Sequence, residues 1–324
     1  MEKASRRLRI INFNLWHGLN HNLPLLLPPV ETVEQREDRF EATIALLKEQ
    51  ILESEDPNEN CLTVFCFQEI NPLHKKANRI QESLLLDGSH CAEGNVGMRL
   101  GNLSFPFLLQ EGLGVLWRGS LQNSQSERIV LSGPFFESKL PILNMPVSAQ
   151  LKERRVALFV TGEWAGLRVA FITTHLHHGN PEIKESGKRR EQELDSIFSH
   201  LGPLENSFDF IFLVGDFNSF APLPEFKKIL NFGFEELSLD SQKKSLISWD
   251  PKVNALCART TALSPDPRAR AWDNKPNAFD HVFWKSNHPA KSNAKISAKR
   301  ILDKPSRDGI WLSDHFGLEV TINL

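Results

Sequence analysis

The sequence predicts an α+β (α/β) sandwich: two packed mixed β-sheets flanked by helices, formed as one domain over residues 1–324. Three observations carry that expectation. The chain alternates many short β-rich runs with few stretches of helical periodicity. Some neighbouring runs are separated by two-residue hairpin punctuation and no helix, so this is not a plain strand–helix–strand series. The composition is that of a globular protein able to bury a large core, with 40% hydrophobic and 24% charged residues.

The elements follow in order. "LRIINFNL" (Leu8–Leu15) reads as a strand. Val33–Glu53 has apolar residues at helical spacing among strong helix formers. "CLTVFCFQ" (Cys61–Gln68) is a continuous apolar run, expected of a strand covered on both faces. A helix is expected over Pro72–Leu86, then an irregular loop over Asp87–Gln110, which is rich in Gly and Asn. Strands are expected at Leu113–Arg118, Glu127–Gly133, Arg155–Trp164 and Leu167–His175, the last two joined at "AG". A charged helix spans Pro181–Leu201, a strand Phe208–Gly215 and a short helix Pro224–Leu230. Phe279–Lys285, Ala294–Leu302 and Phe316–Leu324 close the chain as strands.

Composition narrows the function classes. A net charge of −2 supplies no global basic field to attract nucleic acid. The local basic stretches "GKRR" (Gly187–Arg190) and "RAR" (Arg268–Arg270) read as solvated surface. The four cysteines, at 61, 66, 91 and 257, match no CxxC metal or redox spacing. Cys61 and Cys66 are expected as buried thiols, which suits a reducing, cytoplasmic location. No run reaches the roughly 18 apolar residues of a transmembrane segment, and the chain is taken as a monomer. Tyrosine is absent from all 324 residues, which excludes tyrosine-based mechanisms.

What sits where the apolar runs stop points to chemistry. The first strand ends on Asn14, and the next apolar run on Gln68 and Glu69. "FITTHLHHG" ends on His175, followed by His177 and His178. "LVGDFNS" ends on Asp216 and Asn218, which strand alternation would point the same way, although Gly, Asp, Asn and Ser also favour a turn. Asp280 opens a strand, and Asp314 and His315 precede the last one. If these strands share one sandwich, the groups converge on a single edge. Carboxylates and amide oxygens are hard ligands that suit Mg²⁺ or Mn²⁺, and a hard ion that keeps its waters suits phosphoryl chemistry.

Taken in order, Asn14, "FQE", "THL", "GDFN", Asp280 and "SDH" resemble the endonuclease/exonuclease/phosphatase superfamily from Ile10 to Leu324. That group includes deoxyribonucleases, apurinic endonucleases, inositol-polyphosphate phosphatases and neutral sphingomyelinases. The resemblance implies a four-layered sandwich and a Mg²⁺-dependent hydrolase in which Mn²⁺ can substitute. By position it implies metal ligation by Glu69, with Asn14 as its partner and Asp314 assisting. Asp216 and Asn218 would hold or activate the attacking water. His315, oriented by Asp280, would meet the phosphate or act as base, and His175 would be the second histidine. Apurinic endonucleases use a tyrosine that this chain lacks, so that branch is disfavoured. "THLHH" resembles the sphingomyelinase version, which sets a phospholipid diester slightly ahead of nucleic acid. An inositol-phosphate-type monoesterase and a catalytically degenerate scaffold are the alternatives. Asn22–Val30 is the apolar stretch that a lipid substrate would call on, and "SWDPKVNAL" (Ser248–Leu256) resembles a substrate-side loop in bacterial members.

Overall fold

The structure, a computed structural model, describes residues 6–18, 31–49, 60–94, 111–131, 155–180, 183–263 and 274–324, with the backbone of four strands between 96 and 150. Asn22–Val30 and Arg268–Arg270 lie outside these residues.

Two six-stranded mixed sheets form the centre. The first runs β15 (Lys295–Ile301), β16 (Gly317–Asn323), β1 (Arg6–Asn14), β2 (Asn60–Ile70), β6 (Gly112–Arg118) and β3 (Gly88–Glu93). The second runs β13 (Glu235–Glu236), β14 (Asp280–Lys285), β12 (Phe210–Asp216), β11 (Leu167–His175), β10 (Val156–Trp164) and β7 (Gln122–Val130). Each sheet has one parallel pair at its middle, β1 with β2 and β11 with β12. Helices α1 (Val33–Leu47) and α2 (Leu73–Ser83) cover the first sheet, and α3 (Lys184–Leu201) and α4 (Pro224–Asn231) cover the second. Helix α1 starts at a capping box in which Thr32 and Gln35 satisfy each other's backbone N–H. A further helix, α5 (Ala255–Leu263), follows the "SWDP" loop.

Strand alternation sorts the apolar residues into layers. Leu8, Ile10, Leu62, Val64, Val169, Phe171, Phe210, Phe212, Val282 and Trp284 fill the space between the sheets. Their neighbours in sequence face the helices: Ile11, Phe13, Phe65 and Phe67 meet α1 and α2, and Ile172, Ile211, Leu213 and Phe283 meet α3 and α4. Because both faces of the central strands are buried, those strands read as unbroken apolar runs. The result is the helix–sheet–sheet–helix layering that the resemblance implied.

The expected loop over Asp87–Gln110 is wrong. It contains β3, β4 (Val96–Leu100) and β5 (Leu103–Leu109). Hairpin β4–β5 leaves the first sheet between β3 and β6, and hairpin β8 (Phe136–Leu140)–β9 (Met145–Gln150) leaves the second between β7 and β10. The hairpins join through β4 and β9 into a separate four-stranded sheet, β5-β4-β9-β8. Only the β4–β9 pairing that joins the two hairpins is long-range, and local patterning could not reveal that join.

Candidate functional site

The inner rows of five strands change character at the same end. They read Leu8-Ile10-Asn12-Asn14, Leu62-Val64-Cys66-Gln68, Val169-Phe171-Thr173-His175, Phe210-Phe212-Val214-Asp216 and, reversed, Trp284-Val282-Asp280. In-register pairing brings the ends together: Asn14 opposite Gln68, His175 opposite Asp216, and Asp216 opposite Asp280. The apolar inter-sheet core therefore gives way to a buried polar site where the strands stop.

A hydrogen-bonded floor closes the site below. The Gln68 amide donates to Asn12 Oδ1 at 2.9 Å and to Thr173 Oγ1 at 3.0 Å, and the Asn12 amide donates to Asp280 Oδ1 at 3.2 Å. The other Asp280 oxygen lies 2.7 Å from His315 Nδ1. This pairing places the proton on Nδ1 and turns Nε2 towards Asp216 Oδ2, 3.7 Å away. Asp216 Oδ2 also lies 3.5 Å from His175 Nε2 and accepts from the Asn14 amide at 3.2 Å. The same amide donates to Glu69 Oε1 at 3.1 Å, so Asn14 ties the two carboxylates together.

Three residues owe their positions to features that alternation does not encode. Glu69 should turn away from Gln68, but a break in the β2–β6 register and a φ of +55° return it to the site. Asn218 lies beyond the end of β12, with a φ of +48°. The strand and turn readings of "GDFN" thus each hold for one residue. Asn218 N donates to Asp216 Oδ1 at 2.9 Å, and its side-chain amide donates to Leu176 O at 3.2 Å, so it fixes the Asp216 carboxylate. Asp314 is held by Ser313, whose hydroxyl donates to Asn14 O at 2.6 Å and contacts Asp314 Oδ1 at 3.3 Å.

The electrostatics follow from burial. Burial pushes Asp216 up to about 7 against the pull of His315, with Asp280 adding repulsion. Burial also pushes Asp314 up to about 7, opposed by His315 and helped by Glu69. Burial pulls the His315 imidazole down, but Asp280, Asp216 and Asp314 outweigh it and hold it well above its ordinary value. The site therefore pairs a protonated imidazole with buried acids whose charge a cation would stabilise. Glu69, Asp216, Asp280 and Asp314 are all at most 4% exposed. That donor set of hard oxygens fits a divalent ion.

Sequence reasoning missed several residues here. His17 sits three residues past Asn14, outside any strand row. Its backbone N–H donates to Glu69 Oε2 at 3.1 Å, and its Nε2 lies 3.5 Å from both Glu69 Oε2 and Glu111 Oε2. Burial lowers its pKa, against Glu69 and with the help of Arg39, Arg155 and Arg36. Arg39 donates to the carbonyls of Leu15, Trp16 and Leu312, clamping the loop after β1 to the loop before Asp314. Arg190 of "GKRR", expected on a solvated face, is fully buried. It donates to Glu225 and to the carbonyls of His177 and Gly179, which fixes the turn after His175. The "SWDP" loop does reach the site. Ser248 Oγ accepts from Asp280 N at 3.0 Å, the Trp249 ring stands edge-on to His315 at 5.0 Å, and the Asn254 amide donates to Ser313 O. His281, whose role the motifs leave open, is bound on both ring nitrogens, to Glu236 at 2.7 Å and Ser219 O at 2.9 Å, outside the site.

Comparison with known proteins supplies the family and the fold. The family model described as Endonuclease/Exonuclease/phosphatase family matches residues 11–315. No curated protein sequence matches the chain. Among solved structures, D. rerio TDP2 complexed with single-strand DNA product is 17% identical, with 98% of this chain and 99% of that one covered at a TM-score of 0.59. C. elegans TDP2 is 13% identical, with 100% and 78% covered at 0.60. An endonuclease/exonuclease/phosphatase family protein from Leptotrichia buccalis is 17% identical, with 97% and 98% covered at 0.56. At these identities the likeness is one of fold. The match over nearly the whole chain shows that this protein belongs to the endonuclease/exonuclease/phosphatase family and is, like its members, a metal-dependent phosphoester hydrolase.

Proposed function

We propose that the protein is a Mg²⁺-dependent phosphodiesterase, with the whole chain acting as one domain and Mn²⁺ able to replace Mg²⁺. The observation that carries this reading is Asp216 Oδ2 standing between the Nε2 atoms of His175 and His315, while Asn14 ties it to Glu69. When bound, the metal supplies Lewis-acid neutralisation of the phosphate. Glu69 and Asn14 would hold it, with Asp314 beside them. Asp216, fixed by Asn218, orients the attacking water and takes its proton. His315, charged and aligned by Asp280, donates hydrogen bonds to the phosphate as its charge builds. His175, at the opposite end of the bond, serves the leaving oxygen. A diester leaving group gains most from that second imidazole, which places diesters ahead of monoesters.

Two diester classes have specific support. Nucleic acid is favoured by the likeness in fold to a TDP2 complexed with single-strand DNA product. A phospholipid headgroup is favoured by the four-stranded sheet. Its hairpins leave the sandwich where β3 meets β6 and β7 meets β10, at the end carrying Glu69 and His175. The four free cysteines accord with a reducing compartment such as the cytoplasm. No described helix is long and apolar enough to cross a membrane.

A hydrolysis panel of plasmid DNA, single-stranded DNA, sphingomyelin vesicles, inositol phosphates and a nitrophenyl phosphodiester tests the proposal. Diester turnover that requires a divalent ion, Mg²⁺ or Mn²⁺, is expected. DNA cleavage should rise steeply as salt is lowered, because phosphate contacts release counterions. Lipid cleavage should depend on bilayer presentation. Fast hydrolysis of soluble monoesters with both diester classes untouched contradicts it.

A further inference from the structure

We propose that His17 is a nitrogen ligand of the divalent ion held at Glu69, with Glu111 as a further oxygen ligand, and that this set makes the enzyme prefer Mn²⁺ to Mg²⁺. The inference rests on the reading that Glu69 holds the metal, and it deepens that reading by assigning the ion.

The geometry supplies the argument. One ligand atom from each of His17, Glu69 and Glu111 lies within 4.8 Å of the others, and all three residues are buried. The two separations from His17 Nε2 are both 3.5 Å, to Glu69 Oε2 and to Glu111 Oε2. Two ligands about 2.1 Å from one ion subtend a span of that size. The three residues come from three separate segments: the loop after β1, the bulged end of β2 and the residue before β6. His17 is anchored at its own backbone, whose N–H donates to Glu69 Oε2, so the imidazole and that carboxylate move as one unit. Arg39 fixes the same loop through the Leu15 and Trp16 carbonyls. Glu69 and Glu111 are 4% and 1% exposed, and two carboxylates this deeply buried and this close suit an ion between them.

Ligand type decides which ion. Mg²⁺ demands near-ideal octahedral oxygen coordination and gives up its waters reluctantly. An imidazole nitrogen moves a site towards transition metals, and Mn²⁺ is the member of that series that also accepts carboxylates readily. A site of one nitrogen and two carboxylate oxygens is therefore biased away from Mg²⁺ while staying compatible with phosphoryl chemistry.

The test is pulsed electron paramagnetic resonance of the full chain loaded with Mn²⁺, together with Mg²⁺ competition read from the free Mn²⁺ signal. The wild type should show ¹⁴N modulation from a coordinated imidazole. That modulation should vanish in His17→Asp, and the Mn²⁺-over-Mg²⁺ affinity ratio should fall by about tenfold or more as nitrogen is replaced by oxygen. His175→Gln should keep the modulation. Circular dichroism reports folding, and His17→Gln replaces His17→Asp if the added carboxylate prevents folding. Absence of ¹⁴N modulation in the wild-type spectrum, which needs no variant, overturns the inference. So does modulation that survives loss of the imidazole, or an affinity ratio that does not change. A wild type that binds no Mn²⁺ at all also overturns the inference, whereas the metal-dependent reading fails only if diester turnover survives EDTA, a separate measurement.

Discussion

Strand β14 begins with Asp280 and His281, and these neighbours head two histidine–carboxylate pairs on opposite faces of one sheet. Asp280 faces inward and meets His315 at 2.7 Å, while His281 faces outward and meets Glu236 at the same 2.7 Å. Both histidines are buried, and in both burial lowers the pKa but the carboxylate partner more than restores it. The pairs differ at the second ring nitrogen. His281 Nε2 is bound to Ser219 O at 2.9 Å and packed among Phe217, Phe226 and Phe283. His315 Nε2 faces Asp216 at 3.7 Å, beside Trp249. A buried, charged imidazole is thus no sign of catalysis in itself. What marks His315 is a nitrogen turned towards other titratable groups where the apolar rows end.

Substitutions can break this comparison, and the largest effect belongs to the inner pair. His315→Ala should cut diester turnover by about 10³-fold, and Glu69→Ala and Asp216→Ala by at least about 10²-fold, with the fold intact by circular dichroism. Asp280→Asn comes next. It removes the charge that orients the His315 imidazole and keeps it protonated, and turnover should drop by about 10²-fold with little change in KM.

The outer pair should affect stability instead. His281→Gln should leave kcat within about threefold of the wild type and cost about 2 kcal/mol by chemical denaturation. The folded-state pKa of His281 is raised, so its contribution is fully present below the unfolded value near 6.5 and fades as pH rises through the folded value. The stability gap between wild type and His281→Gln should therefore be widest near pH 6 and narrow at higher pH. A gap that widens with pH contradicts the assignment. The smallest effect is expected from His177→Ala. Burial, with Arg155 and Arg189 beyond it, holds that imidazole near 3 and neutral, and its backbone is already fixed by Glu193. Turnover should stay within a few-fold, far above that of His175→Ala.

The inner pair was legible in the sequence because period-two rows carry polar residues to strand ends, and the ends of Asn14, His175, Asp216 and Asp280 coincide once the strands pair. Glu69 and Asn218 occur in readable motifs, but their aim depends on left-handed backbone that no alternation rule predicts. His17 and Glu111 could not be read, since neither lies in a row and 94 residues separate them in sequence. Arg190 was misread for a related reason: a basic cluster looks solvated until the carbonyls it caps are in place. The join of β4 to β9 escaped because it pairs residues some fifty apart, which leaves no local trace.

The central claim is that the end of the sandwich carrying Glu69, Asp216 and His315 performs metal-dependent hydrolysis of a phosphodiester. The most direct test is single-turnover hydrolysis of a nitrophenyl phosphodiester by the wild type and Glu69→Gln, each with added divalent metal and with EDTA. Turnover in the metal-loaded wild type, lost in EDTA and at least about 10²-fold lower in Glu69→Gln, is the predicted result. Equal rates in all four conditions, with both proteins folded, would contradict it.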